Sequence, residues 1–69
     1  MATIKTESIT PWKRLGQGVI VSLDVRTSTG KFTFPFEFED HGSVTANEAQ
    51  ARRELRTFLQ EALHALGDS

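Results

Sequence analysis

Residues 19–39 read VIVSLDVRTSTGKFTFPFEFE, and this stretch decides the fold. Apolar side chains alternate with polar ones on both sides of a short polar segment, and a period of two is typical of half-buried β-strands. The pattern predicts an antiparallel β-hairpin with strands over about residues 19–27 and 31–39. The apolar set is aliphatic in the first strand and aromatic in the second: Val19, Val21, Leu23 and Val25, then Phe32, Phe34, Phe36 and Phe38.

The turn at Ser28-Thr29-Gly30 sets the register of this hairpin. Because side chains alternate with a period of two, the aliphatic and aromatic sets share a face only if the loop holds an even number of residues. Loops of two or four residues satisfy this condition, whereas a three-residue loop needs a bulge to restore it. Gly30 can supply a positive φ in the turn. Pro35 has no backbone donor, which predicts that its strand lies at a sheet edge.

The segment Val25-Arg26-Thr27-Ser28-Thr29-Gly30-Lys31 resembles the first hairpin turn of ubiquitin, which also precedes a capped helix. The turn in that family is bulged. The resemblance therefore implies that Val25 lies on the face of Thr33, with the phenylalanines pointing away from the aliphatic residues. It is confined to this turn and identifies no family.

The C-terminal part of the chain predicts one long amphipathic helix over about residues 46–66. Its apolar residues recur at helical spacing on one stripe: Ala51, Leu55, Phe58, Leu59, Ala62, Leu63 and Leu66. Thr45 and Glu48 have the spacing of a capping box at the start, and Gly67 suits the position just past the end. We expect this stripe to cover the apolar face of the hairpin. The centre of the core is predicted at Phe34, Phe36, Leu55, Phe58, Leu59 and Leu63.

The N-terminal segment completes the predicted fold. Residues Thr3 to Ile9 alternate loosely and predict a first strand, which Thr10-Pro11 should break. Residues 12–18 are expected to be a connection that is flexible at its Gly16-Gln17-Gly18 end. The fold class is therefore α+β: a three-stranded antiparallel β-meander followed by one long C-terminal helix packed on one face. We expect residues 1–69 to form a single domain.

Composition limits the classes of function. A chain of 69 residues buries only about 60% of its unfolded surface, so its core gives little stability. The absence of cysteine excludes disulfides and thiolate zinc sites, so such a core would be reinforced by self-association, by a binding partner or by unusually good packing of the helix on the sheet. The net charge of −1 argues against non-specific binding to nucleic acid or anionic membrane. Without a secretory signal or a membrane span, we expect a cytoplasmic protein.

No catalytic or metal-binding motif is recognisable. Gly16-Gln17-Gly18 precedes a strand, whereas a dinucleotide-binding loop follows one. His41 and His64 are too few and too far apart for a metal site, and His64 suits the C-terminal end of the helix dipole. Glu37 and Glu39 on an edge strand are typical of charges that prevent edge-to-edge pairing. We expect no enzyme, no cofactor, no metal and no small-molecule substrate.

Two basic patches are the candidate binding residues. Arg52, Arg53 and Arg56 lie on the exposed face of the predicted helix. Glu48 should pair with Arg52 at i+4. Arg53 and Arg56 have no such acidic neighbour, so they could bind phosphates or the carboxylates of a partner. The second patch interleaves basic and aromatic residues, a combination that can bind single strands by stacking and charge: Trp12, Lys13 and Arg14.

Charge is unevenly spread along the chain. Residues 1–35 hold five basic and two acidic groups, a net of +3, and residues 36–48 hold four acidic groups and no basic ones, a net of −4. This asymmetry favours self-association or a charged partner. The sequence predicts a small non-enzymatic protein-interaction module (a regulator, inhibitor or assembly subunit) that forms a homo-oligomer and could also bind another protein. The alternative is a small nucleic-acid-binding protein, which the acidic segment makes less favourable.

Overall fold

The chain forms three antiparallel strands followed by one helix, as seen in a computed structural model that describes residues 2–13 and 17–67. The strands form a single sheet in the order β1-β2-β3, which leaves β2 in the centre. This confirms the predicted fold class. The elements are β1 (Thr3–Lys13), β2 (Gln17–Thr27), β3 (Gly30–Glu39) and α1 (Val44–Leu66). No helix in these ranges is long and apolar enough to cross a membrane.

Strand β1 is longer than predicted. The expected break at Thr10-Pro11 is wrong, because β1 continues to Lys13 and Pro11 lies opposite Val19. The missing donor of proline is tolerated because β1 is an edge strand with a single neighbour. The predicted connection over 12–18 is correspondingly too long, and its ends belong to β1 and β2. Residues 14–16 lie outside the described residues.

A register shift in β1 explains why its alternation is loose in the sequence. Thr6 pairs with Leu23 and Ser8 with Ser22, so the residue between them, Glu7, is the extra residue of a bulge. Strict alternation would place Ile4 and Ile9, five positions apart, on opposite faces. The bulge instead aligns Ile4 with Val25 and Ile9 with Val21, so that both isoleucines face the helix side of the sheet.

The hairpin has the register that its apolar pattern requires. Thr27 pairs with Gly30, so the loop holds two residues, and Val25 lies opposite Phe32. The bulged turn implied by the resemblance to ubiquitin is therefore wrong. In the turn, the hydroxyl oxygen of Thr27 accepts a hydrogen bond from the Thr29 N–H at 3.2 Å. The prediction that Pro35 lies in an edge strand is confirmed, because β3 is the other edge.

The core is the aliphatic row of β2 together with the first half of the helix. Phe34, Phe36 and Phe38 are only partly buried against this row. Their strand is at an edge, so one side of each ring stays open. Of the predicted core centre, Leu55 is buried, whereas Phe58, Leu59 and Leu63 are not; that part of the prediction is wrong. The buried apolar side chains are Val19, Val21, Leu23, Val25, Ala51 and Leu55.

The helix begins two residues earlier than predicted. Ser43 is the N-cap, and its hydroxyl accepts a hydrogen bond from the Ala46 N–H at 3.1 Å. The predicted capping box is wrong because Thr45 already lies inside the helix. The carboxylate of Glu48 instead accepts a hydrogen bond of 2.6 Å from the Thr6 hydroxyl of β1. The predicted end is confirmed: Gly67 has a φ of 74° and its N–H donates to the His64 carbonyl at 3.0 Å.

A buried asparagine fixes the connection between β3 and the helix. Asn47 is 5% exposed, and its side-chain oxygen accepts from the His41 N–H at 2.8 Å. Its amide nitrogen donates to the Asp40 carboxylate at 3.1 Å, which also accepts from the Gly42 N–H at 2.8 Å. These bonds, that from Gly42 first, favour the charged carboxylate and lower the pKa of Asp40 below its ordinary 3.8. The helix is thereby held at one end of the sheet.

Candidate interaction surface

The apolar stripe of the helix is largely exposed in its second half. Leu55 is the last buried residue of the described helix, and the eleven residues that follow it to Leu66 extend about 16 Å at ~1.5 Å each. The apolar stripe nevertheless continues through this half. Phe58 is 45% exposed, Leu59 46% and Leu63 70%. An apolar helix stripe normally packs against a core. Here it is exposed, so it forms a surface that another molecule can cover.

The adjacent end of the sheet extends this apolar area. Ile4 and Phe32 lie opposite Val25 from its two sides, and they are 37% and 47% exposed. The ring centroids of Phe32 and Phe34 are 6.5 Å apart, and those of Phe34 and Phe58 are 5.3 Å apart, so the sheet and helix parts are continuous. We call the set Ile4, Phe32, Phe58, Leu59 and Leu63 the open apolar surface.

A groove runs along the open apolar surface on the side of β1. It has a volume of about 370 Å³ and is lined by residues from Ile4 and from successive turns of the helix, among them Leu55, Leu59 and Leu63. The exposed fractions of the five surface residues, applied to about 200 Å² per large apolar side chain, give roughly 500 Å². The largest contiguous apolar patch on a typical monomeric protein is about 300–600 Å² and is often functional. The surface is comparable to that patch, although the chain has only 69 residues.

Two of the predicted arginines border this groove. Arg52 and Arg56 line it. Arg52 donates a hydrogen bond of 3.3 Å to the Ile4 carbonyl rather than pairing with Glu48, so the expected i+4 ion pair is wrong. The reason is that the Glu48 carboxylate is directed to the Thr6 hydroxyl. Arg56 makes no hydrogen bond or ion pair with any residue in the described ranges, so its charge is available at the edge of the groove.

Arg53 is engaged within the helix. Its guanidinium donates to the Gln50 side-chain oxygen at 2.8 and 3.3 Å, and the Gln50 amide donates to Glu54 at 2.7 Å. Gln50 thus links Arg53 to Glu54. Glu54 directly follows Arg53 in the sequence, so a search for ion pairs at i±3 and i±4 does not find it. Arg53 is not among the residues that line the groove, so the helix patch divides into a groove pair, Arg52 and Arg56, and one internally bonded arginine.

The other predicted patch lies at the far end of the sheet. Trp12 and Lys13 end β1, and Arg14 lies outside the described residues. Ile4, which Arg52 contacts, is nine residues from Lys13 along the same strand, or about 30 Å at ~3.3 Å per residue. In the register Trp12 lies opposite Gly18, and Gly18 opposite the acidic Glu39. The backbone of Trp12 and Lys13 therefore lies far from the end of β1 that Arg52 contacts.

The sheet itself offers less to a partner. Each edge carries features that oppose strand addition: the Glu7 bulge and Pro11 in β1, and Pro35 with Glu37 in β3. The face opposite the helix is polar around Asp24, which is 6% exposed and accepts a hydrogen bond of 2.9 Å from Thr33. Compared with the sheet edges and the polar face, the open apolar surface is therefore the better binding surface for another molecule.

Potential metal ligands do not converge within the described ranges. There, no three histidine, cysteine or acidic side chains converge closely enough to hold a metal. The His41 ring packs near Phe38, with centroids 5.6 Å apart, next to the Asn47 hydrogen bonds. A comparison with known proteins gave no matching family model, no similar curated protein and no similar solved structure. The geometry of the surface is therefore the basis for a functional assignment.

Sequence reasoning named Ile4 or Ile9 as a residue that the first strand leaves exposed, but it missed Phe32 and treated Phe58, Leu59 and Leu63 as core. The periodicity of a helix shows that one face will be buried, but it does not show whether the same chain or another one buries it. The length of the predicted helix, compared with the width of the predicted sheet, already indicated that the sheet would not cover the whole helix. A helix of 23 residues is about 34 Å long, and three strands at ~4.8 Å spacing form a narrow sheet that a crossing helix can outrun.

Proposed function

We propose that this chain is a small protein-interaction module without catalytic activity, acting as a regulator, inhibitor or assembly subunit. It binds through the open apolar surface. The observation that supports this function is the continuation of the apolar helix stripe for about 16 Å beyond the last buried helix residue, Leu55. An apolar area of roughly 500 Å² with a polar rim is characteristic of a protein contact.

The rim of the surface supports the same function. Arg52 and Arg56 flank the groove, and arginine is enriched at protein interfaces because it combines an apolar stem with a fork of donors. The aromatic ring of Phe58 rests on Phe34, which holds it in place before binding. A partner would therefore meet a largely pre-formed surface, with an aromatic anchor and a basic border.

Affinity capture with matched variants tests this function. The wild-type chain, Leu63→Glu and Thr57→Glu are used as baits in lysate of the source cell, with and without nuclease. Leu63→Glu places a charge in the open apolar surface, whereas Thr57→Glu places the same charge on an exposed helix position outside the groove lining. We expect a defined protein to be retained by wild type and Thr57→Glu and lost with Leu63→Glu, irrespective of nuclease.

Two results would contradict the proposal. Equal recovery of partners by Leu63→Glu and wild type would show that the open apolar surface is not the binding site. Loss of all retained protein after nuclease treatment would indicate that nucleic acid bridges the complex. That outcome would favour the alternative function, in which Arg56 and the arginines near it bind phosphates.

A further inference from the structure

We propose that the open apolar surface is covered by the same surface of a second copy of the chain, with the two helices antiparallel across a two-fold axis. This inference rests on the proposed function and specifies its partner. Most soluble oligomers are symmetric dimers in which one patch meets itself. The chain has no cysteine in 69 residues, so no disulfide reinforces its small core, and self-association is one means of doing so.

The direction of the helices follows from where their stripe is already covered. In the first half of α1 the stripe is buried on its own sheet, at Ala51 and Leu55. In the second half the stripe is 45% exposed at Phe58, whose ring contacts Phe34, and 70% exposed at Leu63. Paired helices lie about 8–10 Å apart, and a packed sheet layer itself needs about 10 Å. A parallel pair would have to fit both sheets between the two helices. An antiparallel pair places the sheets at opposite ends and avoids this conflict.

The residues of the open half suit such a crossing. Ala62 lies on the stripe near the middle of the segment from Arg56 to Leu66, and its small side chain allows the helices to approach closely. In an antiparallel pair centred near Glu61, Leu59 of one copy lies opposite Leu63 of the other. The C-terminal turn of each helix then approaches the sheet end of its partner, where Ile4 and Phe32 are exposed.

The basic rim complements this arrangement. Arg56 at the start of the open half would lie beside the last turn of the second helix, where the helix dipole has its negative end. Within the described part of the chain Arg56 has no hydrogen-bonding or ionic partner, and Arg52 beside it is anchored to the Ile4 carbonyl. The antiparallel pair therefore supplies a counter-charge to Arg56 that the single chain does not provide.

The buried area is sufficient for a specific contact. Each copy contributes roughly 500 Å² of apolar side-chain surface. Together the two copies bury about 1,000 Å², the lower bound for a specific interface, before the stems of Arg56 and Gln60 are included. Strand addition is a less suitable route to a dimer because both sheet edges carry a proline, at Pro11 and Pro35.

Sedimentation equilibrium tests whether a second copy of the chain is the partner. We expect wild type at micromolar concentration to have about twice the 7.7 kDa mass of one chain. Leu63→Glu should sediment as a monomer, and Thr57→Glu should stay a dimer. A wild type that remains monomeric at about 100-fold higher concentration overturns the inference. If Leu63→Glu then still loses a captured protein, the proposed function stands with a different partner.

Disulfide trapping tests the orientation in this cysteine-free chain. Under oxidation, Ala62→Cys should form a linked dimer, because its two copies lie near the two-fold axis, and Arg56→Cys should not. A mixture of Leu59→Cys and Leu63→Cys should give mainly the mixed disulfide. Efficient linkage of Arg56→Cys, or equal self-linkage of all four variants, would overturn the antiparallel arrangement. A dimer that persists in Leu63→Glu would show that another face is used.

Discussion

At the scale of single residues, the hydrogen bonds of Asp40 make stability depend on pH. The Gly42 N–H and the Asn47 amide favour the ionised carboxylate and hold the pKa of Asp40 below 3.8. A carboxyl whose pKa is lower in the folded state contributes stability above its unfolded pKa and loses it as the pH falls through the folded pKa. This contribution is therefore complete at neutral pH and is lost in acid.

Asp40→Asn tests that dependence. Its side-chain oxygen can still accept both hydrogen bonds, but it does not titrate. Between about pH 6 and about pH 2.5, the melting midpoint of wild type should fall more than that of Asp40→Asn, with the difference arising below about pH 4. Glu39→Gln removes the same charge from an exposed neighbour and serves as the control. Parallel midpoint curves for wild type and Asp40→Asn would rule out this role.

The helix cap gives a second prediction at this scale. Ser43→Ala removes the hydroxyl that accepts from the Ala46 N–H, and an N-cap substitution of this kind costs about 0.5–2 kcal/mol. Thr45→Ala, two residues along and exposed, should change the free energy of unfolding by much less. Urea melts of both variants provide the comparison. If Thr45→Ala lowered the free energy of unfolding more than Ser43→Ala does, the result would support the capping box predicted from the spacing of Thr45 and Glu48.

At the scale of the helix, the two halves should respond differently to truncation. Leu55 is 2% exposed, so Leu55→Ala should cost about 2–5 kcal/mol in the free energy of unfolding. Leu59 is 46% exposed, so Leu59→Ala should cost the monomer about half as much or less. Denaturant melts at several protein concentrations separate these effects. In a dimer the cost of Leu59→Ala rises with concentration, whereas that of Leu55→Ala is present throughout.

The limits of sequence-based prediction are also clearest in these elements. The alternation of β2 and β3 predicted their shared apolar face on condition that the loop is even, but loops of two and four residues both satisfy that condition, so the register itself stayed open. The end of the helix at Gly67 followed from its special backbone freedom. Two features could not be predicted from the sequence. The Glu7 bulge hides the alternation of β1. Pro11 lacks a backbone donor, which breaks a central strand but is tolerated in an edge strand, and the sequence does not show which of the two β1 is.

At the scale of the whole molecule, charge separates the two functional classes. The net charge is −1, so binding to nucleic acid would have to come from a local patch. Ile4, whose carbonyl accepts a hydrogen bond from Arg52, and Lys13 are nine residues apart along β1, or about 30 Å, which is too far for one short site. We therefore expect no sub-micromolar binding of wild type to DNA or RNA oligonucleotides at about 150 mM salt.

Fluorescence anisotropy over a salt titration provides the measurement. Arg53→Glu with Arg56→Glu should leave the oligonucleotide signal at its background level and should weaken the protein complex or the dimer through Arg56. A tight, salt-sensitive complex that the double variant abolishes without loss of thermal stability would reverse the order of the two functions. The charge-neutral pair Arg53→Gln with Arg56→Gln distinguishes lost attraction from added repulsion.

The bulge in β1 also makes this strand tolerant of a change in length. Thr6 and Ser8 pair with Leu23 and Ser22, which are adjacent, so deleting Glu7 would leave a regular ladder with Ile4 and Ile9 still on their present faces. Deleting Ser22 from the central strand would instead turn half of its buried row outward. We expect the chain without Glu7 to fold with a melting midpoint near that of wild type and the chain without Ser22 not to fold. The sheet thus contains one position at which evolution can add or remove a residue without changing which side chains face the helix.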